Sequence, residues 1–192
     1  RFFIIKPIPM NKTIAHNETF QALCRQNTNC LPLSFLFLMG YFTQTLKDDE
    51  LINICDELNF AHKKLVQNNL DQLVPVLFLN RYNMIERKIA ELQFIHGNTE
   101  HKDKIVSFLE HLPPFLENML LEMYWETSDK IERHVVAFKK GMNAWAYLDT
   151  ASTHKTMICN AHECIKYYLE KMSEYDIRFS ECSILTYEPV LR

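Results

Sequence analysis

The chain has 192 residues, 47% of them hydrophobic and 12% aromatic, which is enough to bury a sizeable core, and residues 1–192 read as a single domain. Lys plus Arg number 21 against 24 for Asp plus Glu, for a net charge of −3, so the chain lacks the basic field that nucleic acid or an anionic membrane would need, and neither partner is expected. Only three glycines are present, Gly40, Gly97 and Gly141. This excludes a glycine-rich phosphate loop, and no cofactor is expected.

The opening RFFIIKPIPM is apolar, but Lys6, Pro7 and Pro9 interrupt it well short of the roughly 20 residues that cross a bilayer, so no transmembrane segment is expected. A start at Arg1 rather than Met is expected of a fragment of a longer protein. The six cysteines are scattered through a domain large enough not to need staples, which points to reduced thiols and a reducing compartment.

At RQNTNCLPLSFLFLMG, residues 25–40, a polar, turn-like stretch runs into an unbroken apolar one. Leu31 to Gln44 reads as a buried helix, with Pro32 tolerated in its first turn. Cys30 then falls at the helix N-terminus, where unpaired N–H groups and the positive end of the helix dipole favour a thiolate. From Asp48 to about Trp125 the pattern predicts four helical pieces, with breaks near Asn68-Asn69, at HGNT and at Pro113-Pro114.

From Glu132 the pattern turns to β, with RHVVAF and AWAYLD separated by KKGMN, and predicts a hairpin. A two-residue type II′ turn at Gly141-Met142 would set Lys140 opposite Asn143. The same register sets Phe138 opposite Trp145, Val136 opposite Tyr147 and His134 opposite Asp149, all on one face. The carboxylate then accepts from one ring nitrogen of His134 and leaves the other free. Phe138, Trp145 and Tyr147 read as core packing. A thiol at a helix N-terminus and a carboxylate-oriented histidine together make the set for nucleophilic catalysis. Such a role expects Cys30 to be the most acidic and most alkylation-sensitive of the six thiols, and burial of Cys30 counts against it.

CLPLSFLF resembles the C-x-x-L-S-x-x-(aromatic) segment of the YopT-type cysteine proteases, papain-fold effectors that bacteria inject into host cells. HVVAF…WAYLD extends the likeness, and CNAHECIKYYLEKMSEY and CSILTYE stand where that family has a helix and a closing strand. The resemblance covers residue 25 to the end and implies an α+β, papain-like fold, with a helical part followed by a small antiparallel sheet. It also implies Cys30 as nucleophile, His134 as base and Asp149 as orienting acid. An amide just upstream of the cysteine would help form the oxyanion hole, Gln26 being chosen over Asn27. The substrate would be a protein or peptide of the host, met in the host cytosol after secretion. Two departures touch the cleft: Thr150 follows Asp149 in place of the frequent Pro-Asn, and no glycine follows Cys30.

Other readings stand beside this one. NTNCLPLS also resembles the D-G-N-C-L-x-x-(A/S) segment of ovarian-tumour deubiquitinases, with Asn27 in place of the aspartate, although the histidine of that class lies nearer the end of its domain. The triad residues could equally serve acyl or amide transfer. HKTMICNAHEC offers His154, Cys159, His162 and Cys164 as zinc ligands, but at poor spacing; a helix with Ile158, Ala161, Ile165, Tyr168 and Met172 on its apolar stripe accounts for them, and no metal is expected. A non-enzymatic module binding partners through residues 48–126 is the remaining alternative.

Overall fold

The structure is a computed structural model that describes residues 18–40, 47–70, 72–93, 104, 107–108, 110–113, 116–126, 129–141, 145–151, 156–159 and 178–191. Short helices come first: α1 (Glu18–Cys24), a 3-10 turn (Asn27–Asn29), α2 (Cys30–Leu38), α3 (Asp48–Gln67) and α4 (Val76–Arg81). The strands are β1 (Met84–Gln93), β2 (Asn118–Glu126), β3 (Ile131–Lys140), β4 (Trp145–Leu148), β5 (Thr156–Cys159) and β6 (Arg178–Pro189). They form one sheet in the order β1-β6-β2-β3-β4-β5, antiparallel throughout. Among the described residues this is the α+β arrangement expected, helices before an antiparallel sheet.

Helix α2 is apolar on every side except at Ser34, and every one of its residues is buried. Pro32 costs it nothing, since the missing N–H lies in the first turn, where no intrahelical partner exists. The helix stops at Leu38 rather than running to Gln44. Gly40 takes φ +81 and its N–H bonds back to the Phe37 carbonyl at 3.1 Å, a left-handed cap that glycine adopts without steric cost. Helix α3 starts under an acidic first turn, with the Lys47 N–H bonded to Glu50 Oε2 at 3.1 Å. It ends at Asn68-Asn69, where Asn69 is left-handed at φ 53, the break that the sequence predicts.

Beyond α3 the expectation of helix fails in two places. Residues 84–93 and 118–126, read as helical, are β1 and β2. β1 is rich in Glu, Lys, Ala and Leu, good helix formers, and its pairing with β6 overrides that preference. Glu86 of β1 shows what fixes it there: its carboxylate accepts from the Leu73 and Val74 N–H groups, both at 2.9 Å, and from the Tyr187 hydroxyl at 2.8 Å. β2 lies between β6 and β3 with both faces covered, so its apolar run has no alternation to read.

The sheet separates two apolar clusters. On one face Leu120, Val135, Ala137, Leu148, Leu185 and Tyr187 pack with the helices. On the other, Met119, Leu121, Met123, Val136, Phe138, Cys182 and Ile184 pack with Phe108 and Leu112. Burial on both sides explains the short apolar runs of β2 (Met119 to Leu121), β3 (Val135 to Phe138) and β6 (Ile184 and Leu185), whose successive residues alternate between the two clusters.

The hairpin forms, but its turn differs from the expected one. Lys140 pairs with Trp145 rather than Asn143, so residues 141–144, four rather than two, connect the strands; the expected type II′ turn at Gly141-Met142 falls partly on residues 142–144, which lie outside the described ones. Phe138 pairs with Tyr147, and Ala137 with Leu148. The true register is two residues from the predicted one. A shift of two preserves the face that every side chain occupies, whereas a shift of one would have reversed it. Phe138 is a core residue as expected, and Trp145 and Tyr147 are half-buried against the same cluster, with the Phe138 and Tyr147 ring centroids 5.7 Å apart. Residues 156–159 form a strand, so Ile158 does not belong to a helical stripe; Ala161, Ile165, Tyr168 and Met172 lie outside the described residues.

Candidate active site

Cys30 is the first residue of α2, placed there by the 3-10 turn that precedes it. Strand β4 covers β3 only from Ala137 to Lys140, which leaves β3 open on that side at His134 and Val135. The first turn of α2 fills this gap. The Val135 N–H hydrogen-bonds to Cys30, and Ser34 Oγ, one turn along the helix, donates to the Val135 carbonyl at 3.4 Å. Side chains four apart on a helix lie one above the other, so α2 takes both polar groups of one strand residue and sets its thiol beside the next side chain, His134.

His134 is hydrogen-bonded on both sides. Nε2 lies 2.8 Å from Asp149 Oδ1, and the ring also bonds the Cys30 thiol. Since Nε2 is committed to the carboxylate, Nδ1 is the nitrogen left for the thiol. Asp149 follows the last residue of β4, and the observed register sets it across from Val136 rather than His134. It reaches the histidine along a diagonal, a distance that long side chains span. The Ala151 N–H also donates to Asp149 Oδ1, at 3.0 Å, and holds the carboxylate in a turn.

The electrostatics follow from these contacts. Burial pushes the Cys30 thiol up, but the His134 hydrogen bond, the charges of His134 and Arg133 and the Val135 N–H outweigh it, so the thiol titrates below its ordinary value. Burial pulls His134 down, while its hydrogen bonds to Asp149 and Cys30 and their charges raise it to about 9. The two opposite shifts have one cause, since each group's charged form is favoured beside the charged form of the other.

Cys30, His134 and Asp149 are 3%, 8% and 5% exposed. The open thiol expected from the sequence is therefore not found: Cys30 shares the burial of the whole of α2, which is packed between the sheet and α3. Gln26 is exposed, and its Oε1 accepts a hydrogen bond from Asn29 Nδ2 at 3.2 Å. Asn27 sits in the 3-10 turn, and its side chain lies outside the described residues.

Several residues around the site have no signal in the sequence. Arg133, next to His134, donates from Nη1 to His62 Nε2 on α3, while His62 Nδ1 donates to the Leu73 carbonyl at 2.8 Å. Arg133 also lies 3.7 Å from the Glu122 carboxylate on β2. Burial and the Arg133 charge lower His62 to about 4, and burial raises Glu122. These partners are far apart in sequence, and only the fold brings them together. Ser34 is the exception, because it stands inside the C-x-x-L-S segment.

Among the described residues no three His, Cys, Asp or Glu side chains are grouped to hold a metal. His154, His162 and Cys164 and the side chain of Cys159 lie outside those residues. No described helix is long and apolar enough to cross a membrane.

No protein-family model and no curated protein matches the chain. Among solved structures it is similar in fold to the Pseudomonas avirulence protein AvrPphB, with a TM-score of 0.57 at 9% identity, over 85% of this chain and 95% of that one. Helices followed by an antiparallel sheet, built in the same way, are therefore shared with a bacterial protein.

Proposed function

We propose that the protein is a papain-like cysteine peptidase, with Cys30 as nucleophile, His134 as base and Asp149 as the acid that orients it. The observation that carries this reading is the continuous contact from thiol to imidazole to carboxylate, made by a helix N-terminus and two adjacent strands. The resemblance of CLPLSFLF to the YopT-type segment and the fold shared with a bacterial avirulence protein support the same reading.

The chemistry runs as follows. The Cys30 thiolate attacks the scissile carbonyl carbon, and the oxygen takes the negative charge. The Gln26 amide, with Asn27 beside it, is assigned to that oxygen. The C–N bond then breaks as His134 gives its proton to the leaving amine, which yields an acyl-thioester and a neutral imidazole. Water, deprotonated by His134, attacks the thioester and releases the acid. Asp149 stays ionised throughout and stabilises the imidazolium.

The substrate class is a protein, in this reading one of a host cell, met in its reducing cytosol. The four described cysteines, Cys24, Cys30, Cys55 and Cys182, form no disulfide with one another, which fits that compartment. Incubating wild type and Cys30→Ala with host-cell lysate and mapping protein termini by mass spectrometry tests it. Termini produced by wild type alone are expected. Their absence, with Cys30-dependent mass changes of about one dalton at glutamine, would assign deamidation instead.

A further inference from the structure

We infer that Asn29, the residue before the nucleophile, is a positioning residue that aims the Gln26 side-chain amide at the oxyanion, and that Asn59 of α3 holds Asn29 in the orientation this requires. The inference rests on the cysteine-hydrolase reading above and concerns how that site is kept in shape.

Asn29 is 2% exposed, and its amide is fully engaged. Nδ2 donates to the Leu23 carbonyl at 3.1 Å and to Gln26 Oε1 at 3.2 Å, and Oδ1 accepts from Asn59 Nδ2 at 2.8 Å. An amide side chain can be turned end for end, and its partners decide which end is which. Here the Leu23 carbonyl decides. A carbonyl only accepts, so the group facing it is the Asn29 NH2, and the opposite end is oxygen, which needs the donor that Asn59 supplies. The second N–H of Asn29 then demands an acceptor from Gln26, so Gln26 turns its Oε1 inward. Its NH2 is left pointing away from Asn29, as a donor pair free for another acceptor.

The backbone fixes the same segment. The Gln26 N–H bonds the Leu23 carbonyl at 3.1 Å, and the Asn29 N–H bonds the Gln26 carbonyl at 3.0 Å. Polarity thus passes from a backbone carbonyl at the end of α1, through Asn29, to an exposed amide four residues before the thiol. Without Asn29 nothing in this set favours one orientation of the Gln26 amide over the other. The wrong orientation would present an oxygen to a developing oxyanion, and such donors act because they are preorganised.

Two reactions of Cys30 separate this role from general support of the fold. Acylation by 4-nitrophenyl acetate passes through a tetrahedral oxyanion, whereas alkylation by iodoacetamide is a direct displacement at carbon and does not. Asn29→Ala is expected to slow acylation of Cys30 roughly tenfold while alkylation stays within about twofold, and Asn59→Ala to give the same split more weakly. The double variant Gln26→Ala with Asn29→Ala is expected to be no slower than Gln26→Ala alone, because Asn29 acts only through Gln26. Acylation and alkylation falling together in Asn29→Ala, or additive losses in the double variant, overturn the inference. Should Asn29→Ala fail to fold, Asn59→Ala decides, and acylation equal to that of wild type refutes the network. A wild-type protein acylated no faster than Cys30→Ala instead overturns the hydrolase reading itself.

Discussion

His134 and Asp149 meet at 2.8 Å although they are not directly opposed: the carboxylate comes from a residue across from Val136 and reaches the ring along a diagonal. One oxygen, Oδ1, accepts from both the imidazole and the Ala151 N–H. In Asp149→Asn the Ala151 N–H still calls for an oxygen there, so the ring keeps its tautomer and loses only the charge beside it. Turnover is then expected to fall about 10²-fold, less than where the tautomer is also lost. The raised His134 titration is a stability contribution. It is fully present below the unfolded value near 6.5 and is lost as pH rises through about 9. Asp149→Asn should therefore cost roughly 2 kcal/mol at pH 6 and little at pH 10, as read by urea unfolding at both. Turnover within about twofold of wild type would leave at most a Cys30–His134 dyad.

The thiols should separate by acidity. Cys55 is pushed up to about 12 by burial and by Asp56 and Cys24, and burial with Glu122 and Glu181 pushes Cys182 higher still, whereas Cys30 is lowered. At pH 6.5, iodoacetamide is expected to label Cys30 before Cys55 and Cys182, with peptide mapping as the readout. Because Cys30 is only 3% exposed, access slows the absolute rate, and the order among sites carries the information. Turnover should rise as the thiolate forms and fall near pH 9, where the imidazolium loses its proton, while alkylation stays high above that pH. Faster labelling of Cys182 would remove Cys30 from the active-site assignment.

What could be read in the sequence was local or periodic. Cys30 at a helix start follows from a polar stretch meeting an apolar one, and the shared face of His134 and Asp149 follows from a period of two, which survives a two-residue error in register. The loop of residues 141–144 was not legible, because Gly141-Met142 satisfies the turn rule while the sheet pairs Lys140 with Trp145. β1 and β2 carry no legible strand signal, because pairing with β6 outweighs helix propensity in β1 and burial on both faces erases alternation in β2. Asn59, His62 and Arg133 carry no pattern, and Asn29, although it matches the asparagine of the D-G-N-C-L segment, shows no sign there of its hydrogen bonds to Gln26 and Asn59. Their roles come from contacts that only the folded chain makes.

His62 should make the protein sensitive to acid. It is held to about 4 by burial and by Arg133, against an unfolded value near 6.5. The unfolded chain therefore binds a proton that the folded one refuses between those values, and stability is lost as pH falls from 6.5 towards 4. With allowance for its partial exposure, the loss is about 1 kcal/mol. Glutamine can donate to the Leu73 carbonyl and accept from Arg133 without titrating. The drop in unfolding free energy between pH 7 and pH 4.5 should thus shrink by about that amount in His62→Gln. An unchanged drop would place the acid sensitivity elsewhere.

Arg133 joins the site to its support, and its removal should be felt at both ends. Its charge helps to lower the Cys30 thiol, and it lies 3.7 Å from the Glu122 carboxylate, which burial already raises. In Arg133→Gln the thiolate loses one of its two cations, so the pH midpoint of Cys30 alkylation should rise. Glu122 is left buried with less compensation. A buried carboxylate whose titration is raised destabilises the fold most at high pH, where it must ionise, and least at low pH, where it is protonated in both states. The variant should therefore lose about 2 kcal/mol relative to wild type at pH 8 and clearly less at pH 4.5. Arg133→Lys should restore most of the alkylation midpoint but less of the stability, because an ammonium keeps the charge without the planar fork that reaches His62 and Glu122 together. A stability loss equal at both pH values would mean that Arg133 supports the fold through packing alone, and an unmoved alkylation midpoint would remove it from the electrostatics of Cys30.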